Sequence, residues 1–212
     1  MNNLDGLSNF FFNLLPGAVF LVIIEYLGFL RYIGVIISAP ETSRIFYLVI
    51  FGLLMGYIFQ AISRVIKDHL YEVPVMREVM NSNEPLFNKN LQHLNKINDG
   101  RKLLNNSEDR NMIDGFHLMN NYVQAKHNAF ITIDFSQRKA LWANANIACF
   151  FLSFVSYTML IAYPTIHRFF ILIVCVISTF LTYKVARKFL YAYYDAIMKS
   201  YFMVYSVGRA KT

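Results

Sequence analysis

The stretch VIIEYLGFLRYIGVII, Val22 to Ile37, decides how the chain is read. It sets Glu25 and Arg31 inside a run of aliphatic and aromatic residues. Carried back to Leu14 and on to Ser38, the run is about as long as the roughly 20 residues that cross a bilayer core as a helix. It makes a poor cleavable signal, having no basic start, no small-x-small site and Glu25 in its middle.

Three more apolar blocks follow, at Ile45–Ile66, Leu141–Tyr163 and Phe169–Ala186. Of 212 residues, 56% are hydrophobic and only 16% charged, below the ~25% charged share of an ordinary soluble domain. The expected fold is an all-α integral membrane protein with four transmembrane helices in two hairpins. The first hairpin occupies 1–66, with spans at about 14–38 and 45–66, and turns at Ser38–Arg44 around Pro40. A helical cytoplasmic insert takes 67–140. The second hairpin, 141–186, has spans at about 141–163 and 169–186 joined by the short turn Ala162–Arg168. A basic, aromatic tail helix, 187–212, completes the chain.

Basic residues orient it. The short turns hold Arg44 and Arg168, whereas the insert and tail carry most of the remaining Lys and Arg. By the positive-inside rule, insert and both termini face the cytoplasm of a bacterial inner membrane. The net charge of +7 is then an orientation signal, with membrane lipid as a partner, and gives nucleic-acid binding little support. Trp142, Asn144 and Asn146 read as the inner interface belt; Tyr163, Phe169 and Phe170 read as the outer rim.

Within the insert, Val73–Pro74 bends or breaks the helix that leaves span two. The asparagine-rich segment Asn81–Asn98, with Pro85, reads as loops and short helices. A helix is expected from Ser107, with Glu108 and Asp109 in its first turn, burying Met112, Phe116, Met119 and Val123 on one face. The segment Ile131–Phe135 alternates like a strand but has no partner strand, so it reads as helix feeding span three.

With span one starting at Pro16, a natural first-turn residue, Glu25 lies about 13 Å into the membrane at 1.5 Å per residue. Arg31 is closer to the outer end and reads as an interfacial anchor beside Tyr32. A carboxylate at that depth costs several kcal/mol (about 2–4 on insertion scales) unless protonated, paired or wetted. Counting along the other spans offers Tyr57, Gln60, Ser178, Thr179, Thr182, Cys149 and Ser153 at a similar level. The resulting polar centre is either a hydrogen-bonded clamp or the wall of a water-filled path. Gly52 and Gly56 form a GxxxG motif, which lets another helix approach closely. Leu190, Ile197 and Val204 recur every seven residues. They form either an oligomerisation seam between copies or a face packed on the chain's own insert.

Signs of catalysis are sparse. Arg110 and His117 match the loose Arg-x(4–6)-His pattern of HEPN-type ribonucleases, a resemblance that implies a nuclease pair; helix-surface residues are the alternative. No metal-ligand spacing, phosphate loop or nucleophile elbow is present, and no cofactor is expected. Cys149 and Cys175 read as small apolar fillers of the spans rather than a disulfide.

Four spans, a cytoplasmic insert of about 75 residues and the start FFFNLLPG (Phe10–Gly17) resemble, in architecture, the small membrane subunits of bacterial antiphage systems. The Kiwa membrane subunits and the membrane accessory proteins of Cas13b-type CRISPR loci are two such families. The first resemblance implies a homo-oligomer that senses envelope disturbance and signals to a soluble cytoplasmic partner. The second implies a pore that depolarises the membrane. The expectation is therefore a non-enzymatic, homo-oligomeric sensor or scaffold, with an ion-conducting pore and a membrane-tethered ribonuclease as alternatives.

Overall fold

A computed structural model describes residues 2–32, 41–67, 71–97, 109–126 and 130–209. Among these the regular structure is all helical: α1 (Asn2–Tyr26), α2 (Phe29–Tyr32), α3 (Glu41–Lys67), α4 (Val73–Ser82), α5 (Glu84–Ile97), α6 (Asp109–Lys126), α7 (Phe130–Ala162) and α8 (Ile166–Arg209). Residues 33–38 of the expected first span, the Pro40 end of its turn and the expected helix start at Ser107 lie outside the described residues.

Among the described residues three helices, not four, are long and apolar enough to cross a membrane: those containing Ile45–Ile66, Arg138–Ala162 and Ile166–Ser206. The first apolar block departs from expectation at both ends. Its helix starts at Asn2, and Pro16 lies in the interior rather than the first turn. It stops at Tyr26, where the amides of Leu27 and Gly28 close back on the carbonyls of Ile23 and Glu25, each at 2.9 Å. Gly28 then takes φ +73°, a left-handed conformation that glycine adopts without the Cβ penalty of other residues. The apolar helical stretch Asn13–Tyr26 is left shorter than a span.

The chain divides into two compact units, Met1–Ile66 with Gln137–Ala186 and Lys67–Ser136 with Arg187–Thr212. In the first, α1, α3, α7 and α8 bury Phe20, Ile24, Phe59, Leu152, Val155 and Met159. Helices α1 and α3 meet backbone to backbone. A Cβ on Gly17 would overlap the Gly52 carbonyl oxygen, and one on Gly56 would overlap that of Asn13. The outside of this unit is apolar: Phe46, Phe51 and Leu54 of α3, Phe150, Phe154 and Ile161 of α7, and Val174, Ile177, Phe180 and Leu181 of α8 are all exposed. Patches of this kind mark a surface that meets something other than water.

The second unit packs α4, α5 and α6 with the final part of α8. Val75, Met76 and Val79 of α4, Phe87 of α5, Met112, Phe116, Met119 and Val123 of α6, and Leu190, Ile197, Met198 and Tyr201 of α8 form its interior. The segment Asn81–Asn98, expected to be loops and short helices, is helical except at Asn83 over the residues described. Proline explains the difference. Pro74 and Pro85 both stand in the first turn of a helix, where the missing amide would have had no intrahelical partner. Asn83 ends α4, its amide reaching the carbonyls of Val79 and Met80.

Candidate functional site

The first unit carries its polar groups inside. On α7, Asn146 Nδ2 donates to the Thr179 carbonyl at 2.6 Å and lies 3.1 Å from Thr182 Oγ1. Two turns further along α7, Ser153 Oγ and Thr179 Oγ1 are 3.2 Å apart, and Ser156 Oγ donates to Cys175 Sγ at 3.6 Å. These pairs run in opposite directions along α7 and α8 and fix the antiparallel register of the two helices. The hydroxyls also bond their own helices: Ser153 to Cys149 O, Thr179 to Cys175 O and Thr182 to Ser178 O, at 2.7–2.9 Å. Such back-bonding hides a hydroxyl from an apolar environment at no cost in partners. On the α1 side, Asn144 Nδ2 donates to Asn13 Oδ1 at 3.2 Å, both residues buried.

These contacts separate the residues grouped from sequence. Thr179 belongs to the α7–α8 ladder, and Ser178 contributes its carbonyl to it. Gln60 is half-buried, and Tyr57, beside Gly56, is 54% exposed and faces outward. Glu25 is at the other end of α1, twelve residues beyond Asn13 and so about 18 Å along the axis. There the next residue, Tyr26, meets His167 at the start of α8, hydroxyl to Nε2 at 3.0 Å. Glu25 is thus beside the Tyr26–His167 contact, and the polar residues paired inside the first unit include Asn13, Asn144, Asn146, Ser153, Ser156, Thr179 and Thr182. Sequence reading had left Asn144 and Asn146 at the interface; two asparagines one helical residue apart in an otherwise apolar run were the available signal.

Gly52 and Gly56 face α1 within the chain. Leu190 and Ile197 are buried in the second unit's own interior, and Val204 is half-buried. Within the chain, Leu190 and Ile197 of the seven-residue seam thus lie inside the unit that the insert helices form with the end of α8. His117 is exposed on α6; Arg110 is in the first turn of that helix, but its side chain, like that of Arg31, lies outside what is described. No group of three or more His, Cys, Asp or Glu side chains able to hold a metal occurs among the described residues.

The second unit has an aromatic centre of its own. His93 of α5 stacks on Tyr205 of α8 with centroids 4.2 Å apart, and its Nδ1 shares a 2.8 Å hydrogen bond with the Tyr201 hydroxyl. Tyr122 of α6 packs against Tyr201 at 5.1 Å. Burial raises the Tyr201 phenol above its ordinary pKa, and Tyr122 and Tyr205 add to the shift. Tyr193 is pushed up to about 12, first by burial and then by the charge of Glu72. Asn90, fully buried, donates to the Met198 carbonyl at 2.9 Å. At the surface, Arg187 pairs with Glu78 at 2.7 Å. The arrangement joins α5, α6 and the final part of α8.

No protein-family model, curated protein or solved structure matches the chain. The fold and its contacts alone define the class: an all-helical chain with an apolar-surfaced unit, compatible with a membrane protein, and a polar-surfaced helical unit.

Proposed function

We propose that the chain is a multi-pass bacterial inner-membrane scaffold, with its termini and second unit in the cytoplasm and no catalytic activity. In this reading the first crossing is completed by α1, the Gly28 turn and the residues that follow, giving four spans in all. A break within a crossing is tolerable where protein covers it, and Leu27 at the break is buried. The second unit supplies the surface for a soluble partner, and a role in sensing envelope disturbance during phage attack follows from the architectural resemblance.

One observation carries the choice of scaffold over pore. The polar side chains inside the first unit end on one another and on backbone carbonyls, as Asn146 does on Thr179 and Thr182. A water-filled path needs polar groups turned to a lumen, whereas these hold helices together. The test is conductance of the purified full chain in planar bilayers, wild type beside Glu25→Gln. The scaffold reading expects silence from both. Discrete currents whose ion preference changes with Glu25→Gln would replace it with a pore.

A further inference from the structure

The apolar collar of the first unit is uneven in height. Along α3, no charged residue occurs between Ile45 and Arg64; nineteen residues of helix give about 28 Å, close to the ~30 Å of a typical hydrocarbon core. Along α8, the uncharged run is only Phe169–Tyr183, closed by Arg168 and Lys184. Those two charges are sixteen residues, or about 24 Å, apart. The stretch between them is the least buried of the three long apolar helices. Phe170, Val174, Val176, Ile177, Phe180 and Leu181 stand out from it, each more than half exposed.

Long cationic side chains normally lengthen a short span by reaching outward. Here the inner of the two is held in. The Lys184 amine folds back over the Phe180 ring, 4.6 Å from its centroid and toward the middle of the run. At the other end the Arg168 guanidinium lies 5.0 Å from the centre of the Tyr163 ring and donates to the Tyr163 carbonyl at 2.9 Å.

We infer that the α8 face of the first unit is a lipid-contact surface fitted to a bilayer whose hydrocarbon core is about 6 Å thinner than usual. The occupant of this face is an annulus of short-chain or disordered lipid, and the protein partitions into, or produces, locally thin membrane. The inference rests on the membrane reading proposed above and adds to it a lipid preference. It also gives a scaffold that senses the envelope a physical quantity to respond to, since infection that thins or stretches the bilayer improves the match.

The experiment reconstitutes the full chain into vesicles of dimyristoleoyl, dioleoyl or dierucoyl phosphatidylcholine and scores carbonate-resistant flotation. Wild type is expected to incorporate best into the shortest-chain lipid and several-fold less into the longest. Lys184→Leu moves the inner boundary on to Arg187, adding three residues, or about 4.5 Å, and shifts the optimum to dioleoyl lipid; Lys184→Arg leaves it in place. Equal incorporation into all three lipids, or an optimum unmoved by Lys184→Leu, overturns the lipid preference and leaves the membrane reading standing. Failure to float with any of the three overturns both.

Discussion

The two units of this chain solve the same packing problem with opposite surfaces. In the first, phenylalanine, isoleucine and valine point outward and asparagine, serine and threonine are paired inside. In the second, methionine, tyrosine and phenylalanine fill the interior while Arg77, Lys89, Lys96 and Lys199 stand in the open. The difference teaches which force holds each together. Burial of apolar surface drives the second unit. Where the surroundings are as greasy as the core, that force is absent, and close backbone approach and internal hydrogen bonds must do the holding.

The comparison breaks most sharply at the α1–α3 contact. Gly56→Leu puts a branched side chain where even a Cβ meets the Asn13 carbonyl; the first unit should lose its cooperative thermal transition in detergent. Gly52→Ala, whose new carbon would stand 3.1 Å from the Ala18 nitrogen, should survive with a shift of about 1 kcal/mol or less. Equal damage from the two would mean that the helices do not meet as described.

In the second unit the corresponding injury is a cavity. Phe116, 1% exposed between Phe87 and Tyr194, should cost about 3–5 kcal/mol on truncation to alanine, read from denaturant unfolding. A loss below about 1 kcal/mol would remove α6 from this core. The same unit should weaken at alkaline pH. The folded Tyr193 keeps its proton up to about 12, against 10.0 when unfolded. Its contribution is therefore complete below pH 10 and declines as pH rises through 12, by about 2 kcal/mol. Tyr193→Phe should flatten that part of the stability–pH curve; an unchanged slope would place the titration elsewhere. The smallest effect is expected in the first unit. Asn146→Ala removes two contacts but should cost only about 1 kcal/mol in detergent, because polar groups in an apolar medium find other partners when released. A loss as large as that of Phe116→Ala would erase the contrast between the units.

Much of the fold is legible in the amino-acid order. The three long apolar helices stand out because hydropathy adds up along a chain, and the face Met112–Phe116–Met119–Val123 repeats at helical spacing. The end of α1 is illegible for the same reason. Leu27-Gly28-Phe29 adds as much hydropathy as a continuous helix would, and only the φ of Gly28 separates the two. In the insert, Phe87, Leu91 and Leu94 kept helical spacing through a segment whose asparagines and Pro85 suggested loops, although proline in a first turn is permissive. The polar layer was least accessible. Depth counting assumes where each helix begins, and α1 begins at Asn2 rather than at Pro16. Three heptad positions likewise cannot say whether Leu190 and Ile197 meet another copy or the same chain; in the fold both lie in the second unit's interior, where Phe116 and Tyr194 pack together.

The junction of α1 and α3 has a further consequence, in the order of assembly. At the glycines what touches is main chain, Gly17 on Gly52 and Asn13 on Gly56, with the Phe20 and Phe59 rings meeting further along. Docking two helices ordinarily freezes side chains, at up to about 2 kcal/mol for each long one, and that penalty is missing where there are no rotamers to freeze. The first pair of helices can therefore close with little entropic resistance while α7 and α8, whose register depends on oriented asparagine, serine and threonine side chains, are still finding theirs.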